Sequence, residues 1–197
     1  MLDLGKLLDV AMDSEPFREL LGALKSPRTA VSVPESAKPY VLAALYSQLR
    51  VPVLLLTAHP DRAKYYVEQL STWCPGRPVR LFPELDTLPY ERLASDNGGE
   101  VDTIQTLSAL VGTGSDTSAA SFPPLVVASA PSVIRKVLSP GLFTSSTRAV
   151  EVGAQVAPFD LLARWQSLGY RLEPTVDVPG TVSHRGAASG PAPFRPR

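Results

Sequence analysis

The sequence predicts an α/β fold: a parallel sheet with flanking helices, followed by a partial small α+β domain. Three patterns carry that expectation. Apolar runs at 29–33 and 51–56 alternate with helical patterns at 38–49 and 61–73, and strand, helix, strand, helix is the mark of parallel strands joined by crossovers. Two further runs at 79–82 and 125–128 are entirely or largely apolar, as expected of strands covered on both faces. Beyond residue 186 the periodic pattern stops, and Pro191, Pro193 and Pro196 stand where a central ladder would need backbone donors.

The elements follow in order. Residues 2–12 and 15–24 read as two short helices split by Asp13 and Ser14, either one a candidate cap for the second helix, which carries Pro16 in its first turn. The alternating strands and helices then give a RecA-like or Rossmann-like layout. After 79–82 a proline-punctuated loop leads into a helix from about Glu100 to Val111, and 112–123 has the small, polar composition of a surface loop. PSVIRKVLSP reads as a short helix with Pro131 in its first turn, ended by Pro140 and Gly141, where a domain boundary is placed. Residues 147–152 read as a strand, 158–167 as a helix opened by Pro158, and 171–184 as two strands joined through Pro179 and Gly180. The expected division is 1–28 amino-terminal helices, 29–140 a degenerate RecA-like domain, 141–186 a partial second domain and 187–197 a disordered tail.

Composition excludes several classes. The 197 residues are 44% hydrophobic and 19% charged, and 19 Lys and Arg balance 19 Asp and Glu, so net charge makes no case for nucleic acid. One cysteine, Cys74, rules out a disulfide framework. The longest apolar run, VPVLLL, is far too short to span a bilayer, and with no secretory pattern at the amino end the cytoplasm is the expected location, without a membrane partner.

In a nucleotide-binding sheet the first strand runs into a glycine-rich loop, then Lys and Ser or Thr open a helix, and backbone N–H groups and the lysine hold the phosphates. Here the corresponding stretch is VPESAKPYVLAAL. Lys38 sits at the phosphate-lysine position and Ser36 keeps a small residue. Glu35 instead places a carboxylate where phosphate oxygens would lie, and Pro39 replaces the hydroxyl that would ligate Mg²⁺ while removing a backbone donor. Repulsion at close range should cost several kcal/mol. The expectation is a degenerate nucleotide loop made of Glu35, Ser36, Lys38 and Pro39, with Ser36 capping a helix whose first turn holds Pro39, and no ATPase activity.

Other candidate groups carry little chemistry. His59 and His184 are the two histidines, they fall in different expected domains, and neither has a Cys or carboxylate at metal-ligand spacing, so no metal site is expected. Cys74 has no nearby base to make it a nucleophile. Thr57 and Asp61 are read as starting the helix after His59 rather than building a catalytic group, and no catalytic residue is assigned.

Two stretches carry a family resemblance. GYRLEPTVDVPGTVSHRG, at 169–186, resembles the signature of the UvrB interaction domain shared by UvrB and the transcription-repair coupling factors, in which a Gly-Tyr pair is followed by an Arg-Gly pair at this spacing. TLPYERLASDNGGEVDTIQTLSAL, at 87–110, resembles the coupling factors' stretch after the third strand. UvrB carries there a longer aromatic hairpin that clamps damaged DNA; this chain has only Tyr90 before the helix. The resemblance is to the amino-terminal region of a bacterial coupling factor and extends over nearly the whole chain to Gly186. The strand that follows Arg-Gly in the family is replaced by AASGPAPFRPR, so a chain cut or frame-shifted inside a domain is expected.

The resemblance implies a first domain shaped like a helicase half whose nucleotide loop has decayed, and a second that docks UvrA through arginines. Arg185 matches the family arginine before Gly. Ser183 and Leu172 stand where UvrB has two more, and Arg171 lies one position from the latter. The implied partners are UvrA and, for the longer parent, RNA polymerase and double-stranded DNA. The parent is implied to be an ATP-dependent DNA translocase whose ATP and Mg²⁺ belong to motor domains outside this chain. The fragment itself is expected to be a non-catalytic scaffold and UvrA-recruiting module without a cofactor. The alternative is a nucleotide-dependent UvrB-like helicase fragment.

Overall fold

In the computed structural model, which describes residues 4–84, 97–112, 122–148, 150, 154–177 and 179–184, the chain divides into two units, Met1–Leu138 and Ser139–Arg197. The first unit contains α1 (Gly5–Asp13), α2 (Glu15–Ala23), a 3₁₀ turn (Glu35–Ala37), α3 (Lys38–Leu49), β1 (Val53–Thr57), α4 (Pro60–Trp73), β2 (Val79–Phe82), α5 (Asn97–Val111), β3 (Leu125–Ser129) and α6 (Ala130–Ile134). Its strands form a parallel sheet in the order β1-β3-β2, with Val53 and Val79 both in register with Leu125. This is the α/β architecture that the alternating apolar runs predict.

Strand alternation sorts the sheet's two faces. Val53, Leu55, Val79, Leu81, Leu125 and Val127 join one core, in which Ala43, Ala44 and Tyr46 of α3 and Ala63, Tyr66 and Leu70 of α4 are buried. Three alanines on facing helices let α3, α4 and the sheet approach closely. On the other face Phe82, Val126 and Ala128 pack with Leu107 of α5. Thr106 is buried and donates its hydroxyl to the Leu81 carbonyl at 3.1 Å. β3 is therefore buried along its whole length. β1 is covered on one face only: Leu54 and Leu56 are 62% and 53% exposed.

Several expectations need correction. Residues 29–33 form no strand. The run lies between Pro27 and Pro34, and the Thr29 hydroxyl donates to the Ala23 carbonyl at 2.8 Å, tying its start to the end of α2 rather than to a ladder. Nor does Pro140 end a helix: α6 stops at Ile134, and Pro140 opens α7 (Pro140–Ser146), where Ser139 accepts the Leu142 N–H. Proline suits a first turn, where its missing donor is not needed. Thr147, Arg148 and Val150 are likewise outside any strand, and the rest of 147–152 lies outside the described residues.

Between the two amino-terminal helices Ser14 is the boundary residue, but its hydroxyl donates back to the Ala11 carbonyl instead of capping α2. α3 and β2 have the predicted bounds, and α4 and α5 start slightly earlier than their patterns suggest, at Pro60 and Asn97. Gly76, just past α4, has φ +74°, which a side chain tolerates poorly.

The second unit contains α7, α8 (Pro158–Ser167), β4 (Arg171–Leu172) and β5 (Thr181–Val182). Leu161 is buried on α8, and Leu162 and Trp165 are half-buried, so the predicted apolar face is largely the inward one, although Leu168 is exposed. β4 and β5 pair in parallel, Arg171 with Thr181 and Leu172 with Val182. The Pro179-Gly180 turn leads into β5 and does not close a hairpin. Among the described residues the buried apolar side chains of this unit are Phe143, Leu161 and Val182. The expected tail, 187–197, lies outside the described residues.

Burial sets one pH dependence of the first unit. Burial pushes the Cys74 thiol above its ordinary value of 9.0, partly offset by the Arg77 guanidinium, and burial likewise raises the Tyr46 hydroxyl above 10.0 against the same guanidinium. A raised value in the folded state means that the unfolded chain loses these protons first, so the contribution is complete below the ordinary thiol value and is lost as pH rises through the folded values. The urea midpoint should be flat between neutrality and about pH 9 and then fall. Cys74→Ala should remove the earlier part of that fall, which a series of denaturation curves would reveal.

Candidate functional site

The site is built where the 3₁₀ turn passes into α3. Pro34 is the last residue before the turn, the Ala37 N–H bonds to the Pro34 carbonyl at 2.9 Å, and Pro39 is buried in the first turn of α3. This brings Glu35 and Lys38 together across three residues. The Lys38 ammonium donates to Glu35 Oε2 at 2.5 Å, the Arg62 guanidinium pairs with Oε1, and the Tyr66 hydroxyl reaches the same oxygen at 3.4 Å. Arg62 and Tyr66 lie four residues apart on α4 and so share one face. The guanidinium also stands 5.3 and 5.6 Å from the Tyr65 and Tyr66 ring centres.

Charge arithmetic defines the site. One carboxylate is held by two cations, leaving one surplus positive charge. The three side chains are 42% to 50% exposed, so the pairs themselves add little stability, about 0–1 kcal/mol each. Their consequence is occupancy: Lys38, the lysine that the sequence sets against phosphate, already holds a carboxylate, although among the described residues no strand precedes its loop.

Of the loop residues singled out in the sequence, Glu35 and Lys38 meet in one cluster. Ser36 is exposed in the 3₁₀ turn and is not the cap of α3: that position belongs to Ala37, with no side-chain capping bond. The turn inserts one residue between Ser36 and the helix, which displaces the hydroxyl from the capping position. Arg62 and Tyr66 are not legible as site residues, because their approach to Glu35 depends on the packing of α4 against α3. Thr57 donates to the His59 carbonyl at 2.9 Å, and His59 precedes α4 without a side-chain capping bond.

An apolar cavity of about 670 Å³ adjoins the cluster. Lys38, Arg62 and Tyr66 line it, together with Thr57 and His59 at the carboxyl end of β1. Glu35 does not line it.

The remaining candidates are dispersed. Cys74 is buried, and its raised thiol value opposes nucleophilic use. His184 stacks near Phe159 at 5.3 Å. Among the described residues no three His, Cys, Asp or Glu side chains gather as a metal site, and no helix is long and apolar enough to cross a membrane. Arg171 is exposed in β4, its backbone N–H bonded to the Gly180 carbonyl at 3.0 Å. The Ser183 hydroxyl donates to the Pro174 carbonyl at 2.8 Å. Arg185 and Tyr90 lie outside the described residues.

No protein-family model matches the chain. It is 27% identical over 179 residues to the transcription-repair-coupling factor of Myxococcus xanthus, a match that covers 87% of this chain and 14% of that protein. Against the Bacillus subtilis (strain 168) transcription-repair-coupling factor it is 23% identical over 178 residues, covering 88% of this chain and again 14% of the relative. The chain is similar to two transcription-repair coupling factors. That similarity extends over most of its length, while the chain spans only about one-seventh of these relatives. It agrees with the resemblance to the coupling factors.

Proposed function

We propose that this chain serves a coupling factor as a non-catalytic scaffold that recruits UvrA. The observation that carries the scaffold reading is Glu35 on Lys38 and Arg62. A triphosphate entering there must displace a carboxylate from both cations and do without a hydroxyl ligand for Mg²⁺, because Pro39 fills that position. The sheet and helices then supply shape, and nucleotide-driven translocation along double-stranded DNA and displacement of RNA polymerase fall to other parts of the parent.

UvrA recruitment rests on the arginines of the second unit. Arg185 is the primary contact and Arg171 a subsidiary one, each suited to acidic surface because a guanidinium makes forked, charge-assisted bonds to carboxylates. The division at 1–28, 29–140, 141–186 and 187–197 remains our functional partition. Interferometry of UvrA against the immobilised chain tests the reading. Saturable binding that is unchanged by Lys38→Ala is expected. Absence of binding by a chain with folded circular dichroism would overturn the recruiting role.

A further inference from the structure

We propose that the cavity beside Glu35 is a binding site for a small amphipathic monoanion, a carboxylate with an apolar tail. Three observations converge on that class. The volume, about 670 Å³, falls within the roughly 300–1,000 Å³ of small-molecule pockets. Its walls are predominantly apolar, with Leu20 from α2, Leu24 just past its end, Val33 from the irregular segment, Leu42 and Leu45 from α3 and Leu55 from β1. Thr57 and His59 line it at the carboxyl end of a parallel strand, the end at which open α/β sheets place their ligands.

The polar wall selects the head group. Lys38, Arg62 and Tyr66 line the cavity, and Glu35, which does not, holds all three. Glu35 thereby fixes the two cations in place and cancels one of their charges. The surplus is a single positive charge beside an apolar chamber. A monoanion matches it; a polyanion such as a triphosphate meets the Glu35 carboxylate without further cations to offset it. A neutral apolar molecule gains the walls but leaves the charge unanswered, and a small anion gains the charge but leaves the walls empty.

Decanoate, titrated calorimetrically into the full chain below its micellar concentration, tests this. One-to-one saturable binding is expected, with decanol and acetate each binding at least about tenfold more weakly. Arg62→Gln should weaken decanoate about tenfold and leave decanol unchanged, since it removes the charge but little apolar wall. Leu24→Trp, at a position 38% exposed and so free of core overpacking, should narrow the chamber and weaken both. Circular dichroism establishes that each variant is folded. Equal affinity for decanoate and decanol, a stoichiometry well above one, indifference to Arg62→Gln, or displacement of decanoate by equimolar MgATP would each overturn the proposal. So would the absence of saturable binding.

Discussion

Leu70→Ala is expected to destabilise the first unit by about 2–5 kcal/mol, whereas Leu54→Ala should change its stability by less than about 0.5 kcal/mol. Both are leucine truncations in the same α/β layer, and hydrophobicity of the residue type alone ranks them equally. The covered face separates them. Leu70 is fully buried on α4 within the core that includes Tyr46, Leu125 and Val127. Removing its branched end deletes buried contacts and leaves a cavity that the surrounding alanine-rich packing cannot easily collapse into. Leu54 is 62% exposed on the uncovered face of β1, so truncation removes surface already in water. Urea denaturation followed by far-ultraviolet dichroism measures both. Equal losses would mean that β1 is covered on both faces.

Arg185→Ala is expected to weaken UvrA binding at least about tenfold, the loss expected if the proposed contact is a charge-assisted pair to a carboxylate. Arg171→Ala should cost less than about 1 kcal/mol, as an exposed charge does. The difference follows from placement. Arg185 stands at the Arg-Gly step of the resemblance, while Arg171 is one residue off the position where UvrB has an arginine, and strand neighbours point to opposite faces. The Arg171 contribution should also shrink as salt is raised, because an exposed pair is screened where a buried one is not. Calorimetry at two salt concentrations distinguishes the arginines, and equal losses for both would place the contact on a different surface.

Much of the first unit was legible in the sequence because its signals are local. Lys38 to Leu49 carries a proline in its first turn and a continuous helical pattern, and the structure gives it those bounds. The run at 79–82 likewise becomes a strand without adjustment. The run at 29–33 reads as a strand by composition, but strand formation needs a ladder partner, and among the described residues no strand pairs with it in the sheet. Pro140 was read as a stop when its position after Ser139 makes it a start; proline marks either end, and only the capping hydroxyl on its amino side decides. The candidate site was half legible. Glu35 and Lys38 are three residues apart, so their meeting follows from a single turn. Arg62 is twenty-seven residues from Glu35, and nothing in the spacing of the sequence reveals a contact that depends on α4 packing against α3.

The same contact makes the account testable at its centre. If Glu35 occupies the cations that a nucleotide would use, calorimetric titration of MgATP into the chain should show no saturable heat at micromolar concentrations, with Lys38→Ala indistinguishable from the parent sequence. Micromolar MgATP binding that Lys38→Ala abolishes would contradict it, and would make this a working nucleotide site rather than a closed one.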